Sequence, residues 1–142
     1  MLCKASDLAR YILKYFSDKN KPVSNRQLQN LLYFCWICYY KTTQEELFDE
    51  PFVAWSLGPT IVSVYREYCS YAARPIFKSK GEFPKNSNAD KTIIDSCLDQ
   101  YQGWTAFQML NRQNKGNAWD TAFALGGKNT PISFELMKSL GK

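Results

Sequence analysis

The sequence contains no histidine. That absence excludes Cys–His and Ser–His nucleophile pairs and histidine general bases, and it removes the usual nitrogen ligand of zinc. No apolar run approaches the roughly 20 residues of a membrane helix. The start, Met1-Leu2-Cys3-Lys4-Ala5-Ser6-Asp7, lacks the apolar centre of a signal peptide, so a cytoplasmic protein with no membrane association is expected. No glycine-rich phosphate loop, dinucleotide fingerprint, internal repeat or low-complexity tract is present.

Cysteine is odd in number: Cys3, Cys35, Cys38, Cys69 and Cys97. All but Cys3 fall in helical patterns with apolar neighbours, which reads as buried free thiols packing as small hydrophobes. Cys35-Trp36-Ile37-Cys38 has the spacing of a redox or metal pair. A redox pair needs its first cysteine at an exposed helix start, and these two fall deep inside a helix. A zinc site needs four ligands, and Cys69 and Cys97 form no second close pair. No metal and no cofactor is expected.

What is present is a core. The 142 residues are 45% hydrophobic and 15% aromatic, enough for one folded domain spanning residues 1–142. The net charge is +5. Lys14, Lys19, Lys21, Arg26, Lys78, Lys80 and Lys85 are scattered, which suits a solvated surface better than a nucleic-acid patch and allows an acidic partner.

The pattern predicts a mainly α domain (α+β): a bundle of about six helices with a small β hairpin or short strands. Apolar residues at helical spacing predict a first helix over Ser6–Phe16, ended by Lys19-Asn20-Lys21-Pro22. The second helix has the clearest start. Ser24 and Gln27 form a capping box, and Val23 with Leu28 a hydrophobic staple. It continues through Leu31, Leu32, Cys35 and Tyr39, apolar on most sides, as a central buried helix would be. Residues 42–50 read as a polar connection.

Phe52–Trp55 reads as a short strand. Gly58-Pro59 then reads as a tight turn opening a third helix, with Gly58 free to take unusual backbone angles and Pro59 pre-set for the first helical position. Ile76-Phe77-Lys78 and Glu82-Phe83 flank Gly81, which permits a second hairpin or a loop. Further helices are expected over Ala89–Tyr101, from a Thr105/Gln108 capping box, over Trp119–Leu125, and from Ser133 to before Gly141.

Two chemical readings compete with simple packing. Glu45, Glu46, Asp49, Glu50, Asp95 and Asp99 are the carboxylates available for acid–base work. They fall in the polar connection and on a solvated helix face, and no enzyme activity is expected. Arg26, Gln27 and Gln29 stand where a helix-turn-helix would read DNA, but the residues that follow are almost wholly apolar, whereas a recognition helix needs a polar face. A DNA-binding regulator is the runner-up reading.

Three segments resemble the Panacea antitoxin domain, the SocA-like family that includes the phage-associated GepA proteins. They are Ser24-Asn25-x-x-Leu28-Gln29-x-Leu31-Leu32-Tyr33-Phe34, then Leu47-Phe48-x-Glu50-x-Phe52-x-Ala54-Trp55-x-x-Gly58-Pro59, and Ser63-Val64-Tyr65. A weaker likeness near the C-terminus includes Trp119. The chain departs from the pattern at Leu57, where an aromatic is common, and at Ala118, where proline is usual. Gln113 or Asn114 falls where the family often has histidine.

The resemblance implies a compact, mainly helical domain with a small β element. It also implies the antitoxin half of a bacterial or phage toxin–antitoxin pair, binding a cognate toxin protein directly. Some relatives hand the toxin to a cellular protease, and toxins across the family are chemically diverse. The likeness is densest around the Gly-Pro turn, so Trp55, Gly58, Pro59, Tyr65, Arg66 and Glu67 are the candidate partner-binding residues. Nothing in the sequence speaks to self-association.

Overall fold

In the computed structural model, described over residues 2–78, 80–84, 87–113 and 117–140 (side chains of 111–113 and 140 excepted), helices α1 (Ala5–Asp18) and α2 (Asn25–Thr43) form the first hairpin. Lys85, Asn114 and Gly141, which figure in the expectations above, lie outside the described residues. The chain continues through β1 (Phe52–Trp55), β2 (Gly58–Thr60), α3 (Val62–Glu67) and a single 3₁₀ turn, Cys69–Tyr71. Helices α4 (Lys91–Asp99), α5 (Ala106–Gln113) and α6 (Ala118–Gly126), strand β3 (Thr130–Ile132) and α7 (Phe134–Leu140) complete it. The mainly α class with a small β part holds, with seven helices among the described residues and a three-stranded antiparallel sheet.

Helix α2 is the axis. Leu28, Leu31, Leu32, Tyr33, Phe34, Cys35, Trp36, Ile37 and Tyr39 are all buried, so every side of the helix faces protein. It touches α1, α3, α4, α5, α7 and β2. The capping box is complete: Ser24 Oγ accepts from the Gln27 amide, and Gln27 Oε1 accepts from the Ser24 amide at 2.8 Å. The reciprocal Thr105/Gln108 box forms at α5 in the same way. Each satisfies two amides that a helix start otherwise leaves unpaired.

The Gly-Pro segment differs from expectation. Pro59 does not open a helix. Trp55 pairs with Gly58, Ala54 with Pro59 and Val53 with Thr60, closing a β hairpin over Ser56-Leu57. The strand order is β2-β1-β3, so Pro59 occupies an edge strand, where its missing amide costs no ladder bond. Pairing with β1 overrides the local helix-start signal and delays α3 to Val62. Strand β3 was not anticipated; it places Ile132 opposite Phe52.

Two connecting segments take their form from tertiary contacts. Residues 76–78 and 80–84 take the loop, not the hairpin, of the two forms the sequence permits. They run as a strap over α1: Ile76 donates its amide to the Val23 carbonyl at 2.9 Å, Lys78 donates to Ser17 Oγ at 2.9 Å, and the Phe83 ring meets Tyr11 edge-on at 5.1 Å. Gly81 allows the closest approach, since a Cβ there would lie 2.5 Å from the Arg10 carbonyl oxygen. The polar connection at 42–50 also buries Leu47 and Phe48, and the Phe48 carbonyl accepts the Trp36 indole N–H at 2.9 Å.

The thiols are not all free and buried. Cys38 on α2 and Cys97 on α4 form a disulfide, with Cα atoms 6.0 Å apart. Cys3 and Cys35 are buried thiols and Cys69 is exposed. The bridge closes a loop of 59 residues in sequence, a constraint typically worth ~2–4 kcal/mol. Peptide mapping of the unreduced protein is expected to find the Cys38 and Cys97 peptides linked. Reductant is expected to lower the melting temperature of the wild type but not of a Cys38→Ser/Cys97→Ser variant. Free, separately alkylated Cys38 and Cys97 peptides would contradict the bridge.

Helix α4 is also tied to α1 by tyrosine hydroxyls. Tyr11 donates to Asp95 and Tyr15 to Asp99. Burial, then the hydrogen bond to the acceptor carboxylate, raises both phenol pKa values above their ordinary level. A raised folded-state value means stability that is complete below the unfolded pKa of about 10 and lost as pH climbs through the folded value. The melting temperature is therefore expected to hold to about pH 9 and fall steeply above about pH 10, with a shallower fall in Tyr11→Phe/Tyr15→Phe. Equal alkaline losses in both proteins would show that these two phenols are not part of the linkage.

Candidate partner-binding surface at the hairpin

The hairpin is held by polar side chains at the start of α2. The Arg26 guanidinium donates to Thr60 Oγ1 at 3.0 Å, to the Pro59 carbonyl, and to Asn30 Oδ1 at 3.3 Å. Asn30 in turn donates to the Ala106 carbonyl at 3.4 Å, and Gln27 to the Trp104 carbonyl at 2.9 Å. Gln29, fully buried, accepts the Ile61 amide at 2.9 Å and donates to Asn25, which donates to the Tyr65 carbonyl at 3.0 Å.

Burial lowers the Arg26 pKa to about 10. At neutral pH it therefore stays a cation, its forked donors taken by neutral oxygens. The three residues placed for DNA reading, Arg26, Gln27 and Gln29, thus turn inward onto the hairpin, α3 and α5.

Gly58 sits hard against this network. Its φ is +141°, and a Cβ would lie 2.6 Å from Asn30 Oδ1. Both the backbone angle and the contact require glycine.

The outer side of the hairpin is different. Trp55 and Tyr65 are half-buried and meet edge to face, with ring centroids 4.9 Å apart. The Trp55 indole N–H donates to Asn129 Oδ1 at 2.7 Å, and the Lys128 ammonium stands 5.8 Å from the ring centroid. Behind it the Trp55 carbonyl accepts the Trp119 indole N–H at 2.9 Å. At the tip Leu57 is 67% exposed.

Of the six candidate residues, the fold thus brings Trp55 and Tyr65 together. It buries Gly58 and Pro59 beneath them and leaves Arg66 and Glu67 exposed on α3. Glu67 lies 3.7 Å from Arg10 in an exposed pair, of a kind worth little on its own. Leu57, Lys128 and Asn129 complete the surface and were not singled out from sequence. Lys128 and Asn129 arrive from the far end of the chain, just past the end of α6 at Gly126.

Four of the six candidate carboxylates are engaged in holding structure. Glu50 accepts the Ala5 amide at 2.8 Å, capping α1. Glu46 pairs with Lys138 at 2.7 Å, Asp95 with Lys91 at 2.8 Å, and Asp99 accepts from Tyr15 and Gln102. Among the described residues no three or more Cys, Asp or Glu side chains cluster as a metal site. Burial pushes the Cys3 thiol up to about 12, and the Cys35 thiol is raised by the same cause. Both are therefore protonated and unreactive at neutral pH.

Gly58→Val is expected to destabilise the protein by on the order of 1–3 kcal/mol, through backbone strain and collision with Asn30. A denaturant titration checks this. An unchanged midpoint would mean that the hairpin tolerates ordinary geometry there.

No curated protein and no solved structure matches the chain. The sequence model of the antitoxin SocA-like, Panacea domain matches residues 28–120, from the first turn of α2 to the start of α6. That match takes in the whole hairpin together with Gln29 and Asn30 beneath it, and begins just after Asn25, Arg26 and Gln27. The chain belongs to the antitoxin SocA-like, Panacea domain family, and with that membership goes an antitoxin role at the level of the family.

Proposed function

We propose that this protein neutralises a cognate toxin by direct, stoichiometric binding, without turnover of a substrate. The observation that carries this reading is the family match over residues 28–120. The half-buried Trp55–Tyr65 pair supports it. Rigid aromatics already fixed by a hairpin lose little entropy when a partner covers them. Delivery of the toxin to a cellular protease would use the same contact followed by transfer, and is the natural extension of the proposal. A DNA-binding regulator is the weaker reading, because the polar start of α2 is spent inside the protein.

The test is co-expression with the protein encoded beside this gene, read as rescue of growth, together with titration of the purified pair. A saturating ratio of small whole numbers is expected. Arg66→Ala and Glu67→Ala, both exposed, are expected to keep the fold, and Arg66→Ala to weaken binding, by ~2 kcal/mol if it is a hot spot. Full affinity in both variants would move the contact away from α3. Rescue by a trace of this protein, without a protease, would replace sequestration with an enzymatic mechanism.

A further inference from the structure

We infer that the outer face of the hairpin, formed by Leu57, Trp55, Tyr65, Arg66 and Lys128, docks an acidic segment of the partner protein. The inference rests on the toxin-binding reading and deepens it by naming the partner's chemistry.

Three observations carry it. The first is charge. Among the described residues neither Lys128, which stands over the Trp55 ring, nor Arg66, exposed on α3 one position after Tyr65, forms an ion pair. The acids adjacent in sequence, Glu67 beside Arg66 and Asp120 beside Trp119, are each engaged within the chain. Lys128 and Arg66 thus stand exposed at this end of the molecule with no ion-pair partner among the described residues, on a chain of net charge +5. An acidic partner completes that arrangement, and steering by opposite charge speeds encounter.

The second is shape. Leu57, 67% exposed at the tip, projects beside a rigid aromatic pair. An exposed aliphatic tip next to half-buried aromatics and flanking cations is the make-up of a protein-binding centre with a charged rim.

The third is what the patch lacks for other occupants. A nucleic acid would want open ring faces for stacking. The Trp55 indole N–H is committed to Asn129, and the ring is already met by Tyr65 and covered by Lys128. Leu57 has nothing to offer a phosphate. A second copy of this chain, meeting the patch face to face, would set cations against cations.

The experiment measures binding of the purified product of the adjacent gene to the wild type, to Lys128→Glu/Arg66→Glu and to Leu57→Ala. Melting temperatures confirm folding, and a promoter duplex is titrated in parallel. The charge reversal is expected to weaken toxin binding on the order of 100-fold, and Leu57→Ala about 10-fold. Wild-type affinity is expected to fall as salt rises. Compensating Glu→Lys changes in the partner are expected to restore binding to the reversed variant. Should Lys128→Glu/Arg66→Glu destabilise the hairpin, Lys128→Ala/Arg66→Ala carries the same test, with a smaller loss expected.

A folded charge-reversed variant that binds toxin at full affinity overturns this surface and leaves toxin neutralisation standing. Absence of toxin binding by the wild type overturns the neutralisation reading and the surface with it. Loss of duplex binding in the reversed variant, with toxin binding intact, overturns the acidic-protein assignment in favour of nucleic acid.

Discussion

The hairpin stands where it does because Arg26, Gln29 and Asn30 turn inward from the first turns of α2. They bond Pro59, Thr60, Ile61 and Ala106. Each such bond contributes about 0.5–1.5 kcal/mol net, but leaving a buried partner unmade costs about 1–3 kcal/mol. The network therefore specifies more than it stabilises. Any other register of β2 would strand the Ile61 amide, the Gln29 amide group and a buried cation together. Only the Arg26 Nε and two other buried side-chain atoms, among the described residues, lack a hydrogen-bond partner.

The same network ties the apolar axis to the surface. The middle of α2 is dry: Tyr33 meets Phe52 edge-on at 5.5 Å, and Trp36 stacks on Phe134 at 5.0 Å. Its start is polar, and the sheet leans on both parts. Trp55 is thus backed by a strand anchored at two places. Phe52 and Ala54 are buried in the core, while Gly58 and Thr60 rest on Arg26 and Asn30. The aromatic pair is thus fixed by backbone on both of its sides, at the core and at the polar start of α2.

How much of this was legible in sequence follows the range of each interaction. The capping boxes at Ser24 and Thr105 were readable because donor and acceptor lie three residues apart. The central burial of α2 was readable because its apolar residues leave no polar face. The Gly58-Pro59 turn was read as a helix start, since its local chemistry is the same whether the next partner is a helix turn or strand β1. Strand β3 is three residues with a proline in the middle, too little to register as a pattern. The Cys38–Cys97 bridge, the Glu50 cap on α1 and the arrival of Lys128 over Trp55 join residues 45 to 73 positions apart. Spacing along the chain cannot reveal such meetings.

The residues that carry the family likeness are mostly the frame. Tyr33 accepts the Trp119 amide at 3.0 Å, Trp119 reaches the Trp55 carbonyl, Glu50 caps α1, and Gly58 makes room for Asn30. Replacing any of these disturbs folding before it touches a partner. Leu57, Arg66 and Lys128 are different, because little rests on them inside the chain. Exposed positions of this kind change at a cost within about 0.5 kcal/mol. Substitutions at the hairpin rim can therefore leave the buried frame intact, because Leu57, Arg66 and Lys128 are exposed while Tyr33 and Gly58 are buried.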